Sequence, residues 1–382
     1  MTPLEQLVRW RHELHQIPET AFTEHATAAY VASALRELGF DVTTGVGGTG
    51  VVGSLTLGTA ERAIGLRADM DALPLREIGN HAHISRHEGV MHACGHDGHM
   101  AMVLGAAAAL ARDGGCNGTV RVVFQPAEEP GRGARAMLDD GLLQRFPIDA
   151  MFGLHNLPGA PAGHLRIRSG PIMASEDNFR IHLTGRGGHA SAPHLVIDPL
   201  VVAAELITAL QTVVARSVDP VEHAVVSCTD IRTDGARNAI PSNVEITGDT
   251  RSFTSATSQL LETQIRRLAA GVAAAHGATC EVDYTREFGP TVNDPAAAQR
   301  AARAAVSVLG AERVDEDCAP ITASEDFGIF AAQVPAAFAF LGSGTEPGRG
   351  GTPLHSHDYD FNDDVLPVGV DFYVRLVRDF LG

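Results

Sequence analysis

The densest chemistry in the chain lies in nine residues, Met91-His92-Ala93-Cys94-Gly95-His96-Asp97-Gly98-His99, which pack a thiol, three imidazoles and a carboxylate together. Thiolate and imidazole are ligands for borderline ions such as Zn²⁺, Ni²⁺ and Co²⁺. The two glycines let the backbone turn tightly enough for neighbouring side chains to converge. The chain has 18 histidines, so a polar loop with unrelated imidazoles is the plain alternative for this segment taken alone.

Three further segments repeat the pattern. Gln125-Pro126-Ala127-Glu128-Glu129 directly follows a β-rich run, and in open α/β sheets ligands bind at the carboxyl ends of strands. Adjacent carboxylates repel unless a cation sits beside them. Their side chains point in different directions, so one can take a metal while the other faces the attacking water. A solvated acidic turn is the alternative. His155, in Gly153-Leu154-His155-Asn156, sits just past a run that reads as a buried strand. His355, with His357 two residues on, follows another. A lone histidine is more often a hydrogen-bonded structural residue than a ligand. The shared placement of all four segments beyond strand ends carries the argument. Asp69 and Asp71 flank Met70 after a further short strand. With a period of two they face one side, from where they could orient ligands from behind; a plain turn role fits them equally.

The elements that must position these residues alternate between helix and strand. Helical spacing covers about 4–16 and 24–39, and a helix of small residues follows Gly98. Apolar strands are expected at 63–66, 119–124, 150–154 and 335–341, and a closing helix at 363–381. That alternation predicts an α/β catalytic domain with a mostly parallel central sheet covered by helices. Near residue 177 the pattern changes to period-two alternation at Phe179, Ile181 and Leu183. A helix near 199–217, strands near 223–232 and 243–252, a helix near 257–276 and a strand near 279–287 follow. The order β-α-β-β-α-β is the ferredoxin-like unit. The expected organisation is therefore catalytic domain 1–176, inserted α+β domain 177–289 and catalytic domain 290–382.

Composition limits the partners. A length of 382 residues exceeds what one core usually supports, which agrees with two domains. The formal charge of −17 argues against nucleic acid and against a basic membrane-surface helix. The five cysteines are odd in number and widely spaced, which suits a reduced compartment better than a disulfide framework. The N-terminal segment has no long apolar core, so a cytoplasmic enzyme without a signal peptide is expected. Met100 to Ala111 is too short to span a bilayer and reads as a buried helix.

Taken together, the ordered segments resemble the hippurate hydrolase, aminoacylase and indole-acetyl-amino-acid hydrolase group of co-catalytic metallopeptidases. The likeness runs through Arg11 to Glu19 (RHELHQIPE), Arg67 to Pro74 (RADMDALP), Met91 to His99 and Gln125 to Glu129. It continues through Gly185 to Pro193 (GRGGHASAP), Asn238 to Pro241 (NAIP), Ser324 to Phe327 (SEDF) and Leu354 to Asp364. The resemblance implies two divalent ions per subunit (Zn, Mn, Ni or Co) held by Cys94, His96, Glu129, His155 and His355. It makes Glu128 the general base, His189 a histidine reaching a neighbouring subunit's active site, and Asn238 and Arg251 contacts for the substrate carboxylate. It also implies a lid and dimerisation role for the small domain, and hence a homodimer or dimer-based oligomer. Two positions depart from the group: His357 stands where proline is usual, placing a second histidine beside His355, and Pro130 stands where glycine is commoner.

The chemistry so implied is hydrolysis of the amide of a small N-acyl amino acid by a metal-activated water. A dipeptidase or exopeptidase could use the same site. A metal-binding protein without catalysis is the reading from another class, and Glu128 weighs against it, because a pure metal binder has no use for a second carboxylate beside Glu129.

Overall fold

A computed structural model describes residues 2–382, and the chain divides into two units. The larger contains residues up to Ile172, Val292–Ala319 and Asp326–Gly382; the smaller contains Met173–Thr291 and Pro320–Glu325. The smaller unit thus begins before residue 177 and includes Pro320–Glu325, beyond the 177–289 expected for it. The carbonyls of Ile321 and Ala323 in that segment accept hydrogen bonds from the N–H of Ala174.

The larger unit is built on an eight-stranded sheet in the order Asp41–Val46, Gly50–Leu57, Gly118–Gln125, Ala63–Asp69, Ala150–Pro158, Ala336–Gly344, Leu165–Arg166, Val314–Asp315. The four strands from Gly118–Gln125 to Ala336–Gly344 are mutually parallel. The antiparallel hairpin Asp41–Val46/Gly50–Leu57 extends one edge and was not anticipated. Period-two alternation gives the sheet two buried faces. Ile64, Leu66, Ala68, Val120, Val122 and Phe124 share one core with residues of the helices His96–Asp113, Pro295–Leu309 and Leu366–Leu381. Between them, Arg67 and Asp69 are also buried and are joined by an ion pair at 2.8 Å.

Two strands run further than the apolar runs suggested. Ala150–Pro158 carries His155 inside the strand rather than beyond it. Ala336–Gly344 continues through Gly342, which packs where a Cβ would come within 2.1 Å of the Pro161 carbonyl oxygen. Only glycine fits such an approach, so what reads as loop composition is a crowded strand end.

The smaller unit follows the order strand Ser175–Thr184, helix Pro199–Ser217, strands Ala224–Thr233 and Asn243–Ser252, helix Ser255–Ala275, strand Thr279–Phe288. Counted in that order, the four strands lie 2-3-1-4 in one antiparallel sheet, the ferredoxin-like arrangement. Phe179, Ile181 and Leu183 point into a core shared with both helices. Among the described residues, Pro199–Ser217 is the helix whose length and apolar composition would suffice to cross a membrane. Here Val202, Ala203, Leu206, Leu210 and Val213 bury one of its faces in that core.

Candidate metal centre and active site

The loop after Met91 delivers its donors through one glycine. Gly95 caps the helix His96–Asp113 at φ 87°, in the left-handed region, which makes His96 the first helical residue. A Cβ there would also meet Asn156 Oδ1 at 2.5 Å. Gly98 serves differently from what its place in the motif suggested. It lies inside the helix, and a Cβ would come within 2.3 Å of the Phe361 ring. Two non-glycine residues of the site also adopt positive φ, Ala127 at 50° and His355 at 60°. Such backbone is rare for these residue types and costs about 1–3 kcal/mol. Its presence immediately before Glu128 and at a donor histidine marks positions fixed by their surroundings.

The structure gathers all five expected metal ligands into two groups that share Cys94: Cys94 with His96 and His155, and Cys94 with Glu129 and His355. Within each group the donor atoms lie within 4.8 Å of one another. Cys94 Sγ is 3.5 Å from His155 Nε2 and 3.4 Å from His355 Nε2. Glu129 Oε1 lies 3.6 Å from His355 Nε2 and 4.0 Å from His96 Nε2. Glu128 stands beside them, its Oε2 4.0 Å from His96 Nε2. His357 points elsewhere and donates from Nδ1 to the Arg76 carbonyl at 2.7 Å, so His355 is the histidine that joins the cluster.

Two of the three imidazoles are aimed by the nitrogen they do not offer. His96 donates from Nδ1 to the Asp71 carbonyl and His155 from Nδ1 to the Asn156 carbonyl, both at 2.8 Å. In both rings this turns Nε2 toward the other donors, the arrangement metal-binding histidines use. The carboxylate of Asp71 accepts the backbone N–H groups of Glu128 and Glu129, each at 3.0 Å, and so fixes the turn that carries both. Asp69 accepts from Arg67 Nη1 at 2.8 Å and from His99 Nδ1 at 2.7 Å. Asp69 thus contacts His99, and Asp71 contacts the turn of Glu128 and Glu129 with its carboxylate and His96 with its carbonyl.

The electrostatics are those of a site built around positive charge. Burial opposes ionisation of His96, but the Asp69 carboxylate and the contact with Asp71 hold its pKa well above the ordinary value. Burial pushes the Cys94 thiol well up, and the Glu129 carboxylate adds to that. Burial also raises Glu129 against the pull of His96, with Asp71 and Asp69 reinforcing the rise. Burial holds His155 well below the usual imidazole range. His96 Nε2 and Glu129 Oε1 are buried without a hydrogen-bond partner. Orphaned buried polar atoms are rare and costly. A thiol, three imidazoles and a carboxylate with two such atoms fit divalent ions as the missing partners.

Behind the ligands runs a hydrogen-bonded web that the sequence motifs do not announce. His99 joins Asp69 to Asn156, whose Oδ1 lies 2.7 Å from His99 Nε2, and Asn156 Nδ2 donates to the Tyr359 hydroxyl at 2.7 Å. His99 belonged to the conspicuous motif, whereas nothing local to Asn156 or Tyr359 signals their part.

The profile of peptidase family M20/M25/M40 matches residues 65–379. The chain belongs to that family. It is 40% identical over 371 residues to the hippurate hydrolase of Campylobacter jejuni, covering 97% of this chain and 95% of that protein. It is 36% identical over 379 residues to thermostable carboxypeptidase 2 of Saccharolobus solfataricus, covering 98% and 95%. Among solved structures, a Bacillus subtilis protein described as a dinuclear metal binding peptidase from M20 family superposes with a TM-score of 0.85 at 31% identity, covering 99% and 98%.

The remaining residues that the resemblance singled out lie in the smaller unit of this M20/M25/M40 member. His189 is exposed on the short strand Gly188–His189, paired with Ala239–Ile240, and its Nδ1 accepts from Ser191 Oγ at 2.8 Å. Asn238 is exposed, and its carbonyl accepts the N–H of Ala190 at 3.1 Å. Arg251 is held by Glu176 at 2.8 Å and Asp249 at 3.0 Å and donates to Ser324 Oγ at 2.6 Å. His189 and Asn238 are thus neighbours at a short antiparallel ladder, while Arg251 sits in its own ion-paired group.

Proposed function

We propose that this enzyme hydrolyses the amide bond of small N-acyl amino acids at a centre of two divalent ions held by Cys94, His96, Glu129, His155 and His355. The observation that carries the reading is the pair of donor groups sharing Cys94, with a further carboxylate, Glu128, beside them. The resemblance to hippurate hydrolase supports the substrate class, and the dinuclear centre of the Bacillus subtilis structure supports the metal count. The donor set suits Zn²⁺, Mn²⁺, Ni²⁺ or Co²⁺. When bound, such ions polarise a carbonyl and lower the pKa of a water toward neutrality.

The chain's own residues do the rest. Glu128 takes the proton of the attacking water and returns it to the leaving nitrogen. Asp71 keeps Glu128 and Glu129 on one rigid turn. Asn238 and Arg251 are assigned to the free α-carboxylate of the substrate, for which the planar fork of arginine is suited. Exchange of Glu176 for that carboxylate keeps the guanidinium paired. His189 is assigned to the oxyanion in a partner subunit's site, which makes the working form a homodimer or a larger oligomer built from dimers. Five free cysteines and an acidic surface support a cytoplasmic setting.

The carboxypeptidase resemblance favours a second reading, removal of a C-terminal residue from a short peptide. The two differ in whether an amine is tolerated next to the scissile carbonyl. Metal-stripped enzyme, reloaded in turn with each ion, is assayed on N-benzoylglycine, N-acetyl amino acids and matched dipeptides. Higher kcat/KM on the acylated substrates supports the amidohydrolase. Higher kcat/KM on the dipeptides replaces it with the exopeptidase.

A further inference from the structure

A second nitrogen-rich cluster lies in the larger unit, and none of its donors belongs to the catalytic groups. The helix Pro3–His15 supplies His12 and His15, a loop supplies Glu77, His81 and His83, and the segment before the closing helix supplies Asp360 and Asp363. His12 stacks on His83 with ring centroids 3.7 Å apart, and His83 on His81 at 4.1 Å. At its centre His15 Nε2 and His81 Nε2 converge on one oxygen, Glu77 Oε1, at 3.0 and 2.7 Å. The three donor atoms lie within 4.8 Å of one another.

The groups around this triad are arranged as around a metal ligand set. His15 Nδ1 faces Asp97 Oδ2 at 2.8 Å, which commits that nitrogen to the carboxylate and aims Nε2 at Glu77. A carboxylate behind a histidine in this way is the usual support of a metal-bound imidazole. The second oxygen of Glu77 accepts the backbone N–H of Ser85 at 2.7 Å, leaving Oε1 to face the histidines. His81 Nε2 is buried and lacks a hydrogen bond of acceptable geometry although Glu77 Oε1 is so near, the condition also found at His96 Nε2 and Glu129 Oε1.

Charge and space agree. Glu77, Asp97, Asp360 and Asp363 supply four carboxylates within the network of Arg11 and these histidines. With Arg11 counted against them and His15 neutral, as a ligand through Nε2 must be, three negative charges remain, and a divalent ion offsets two of them. Gly79 makes room for the His81 ring, because a Cβ there would meet His81 Cε1 at 2.7 Å.

We propose that His15, Glu77 and His81 form a further metal site, for a borderline divalent ion of the Zn²⁺ class. Two imidazoles and one carboxylate are an established zinc donor set with a fourth position left for water. The ion ties the first helix to the loop that leads into the Cys94 segment. The competing arrangement is a proton in place of the ion, with His15 a buried imidazolium between Asp97 and Glu77.

The test counts metal and does not depend on the catalytic reading. Chelator-stripped enzyme is reloaded with Zn²⁺, freed of excess by gel filtration and analysed by mass spectrometry for zinc per chain. The wild type is expected to hold one equivalent more than His81→Ala, and one more than the milder His81→Gln, with circular dichroism and kcat unchanged in both. A Cys94→Ser/His355→Ala background isolates the site: added Zn²⁺ should raise its Tm, and should not do so once His81→Ala is added. Equal zinc counts in wild type and both His81 variants, or a Tm response that survives His81→Ala, would overturn the proposal.

Discussion

His96 donates its Nδ1–H to the backbone carbonyl of Asp71 at 2.8 Å, while the Asp71 carboxylate accepts the N–H groups of Glu128 and Glu129. One residue thus orients an imidazole of the proposed centre with its main chain and the turn of the two adjacent carboxylates with its side chain. Removing such support usually costs about 10–100-fold in metal affinity or activity. Asp71→Ala should therefore bind metal about 10–100-fold more weakly in chelator competition while its far-ultraviolet spectrum stays unchanged. Wild-type affinity in that variant would show that the turn holds itself.

Glu128 and Glu129 are adjacent but should fail in different ways. Glu128→Gln keeps the shape and loses the proton acceptor, so it should retain its metals and lose about 10²-fold or more in kcat. Glu129→Gln removes a donor that lies 3.6 Å from His355 Nε2, so it should lose metal. Metal analysis and kinetics on the two purified proteins decide the matter; metal loss in Glu128→Gln with full retention in Glu129→Gln would exchange the roles.

Metal binding at the catalytic groups should release protons. In the metal-free protein Cys94, Glu129 and His96 all have raised pKa values, so near neutrality they hold protons that a cation must displace. Affinity should therefore rise with pH, because deprotonation removes the competitor. Calorimetric titration in buffers of different ionisation enthalpy should show net proton release, larger at pH 6 than at pH 9. The same raised thiol means that stripping metal alone leaves Cys94 slow to alkylate at neutral pH, with the rate climbing as the solution is made alkaline. A pH-independent metal affinity would contradict this account.

The site was legible in the sequence where chemistry is concentrated locally and obscure where it is assembled from afar. Glu128, Glu129 and His155 stand at or just past the ends of parallel strands, where such sheets gather ligands. Cys94 and His96, by contrast, open the helix His96–Asp113 after a long loop, and His355 lies in a loop well beyond Ala336–Gly344, so their convergence comes from the fold rather than from a strand end. The period-two alternation of Phe179, Ile181 and Leu183 likewise announced the second sheet. The hairpin Asp41–Val46/Gly50–Leu57 was hidden because Gly45, Gly47, Gly48 and Gly50 give it the composition of a loop. The positive φ of Ala127 and His355 has no sequence signature, since neither residue type prefers that backbone. The convergence of His15, Glu77 and His81 depends on the helix Pro3–His15 meeting a loop that begins some sixty residues later, a contact that no local spacing encodes.

The assignment of His189 to a partner subunit's site can be tested in solution. His189 lies exposed on a two-residue strand, with its Nδ1 already bonded to Ser191 and its ring unburied by its own unit. A side chain so displayed suits service at a site on another chain. His189→Ala and Glu128→Gln should each be nearly inactive alone, the first through loss of an oxyanion donor, an effect of about 3–4 kcal/mol for one well-placed group. In a mixed dimer one site combines an intact Glu128 with an intact His189 from the other chain, and the opposite site carries both defects. Random re-association should then restore up to about one quarter of wild-type activity for a two-fold dimer with independent sites. Mass spectrometry checks that subunits have exchanged. Exchange without any recovery would mean that His189 serves its own chain or takes no part in the reaction, and the dimer would lose its place in the mechanism.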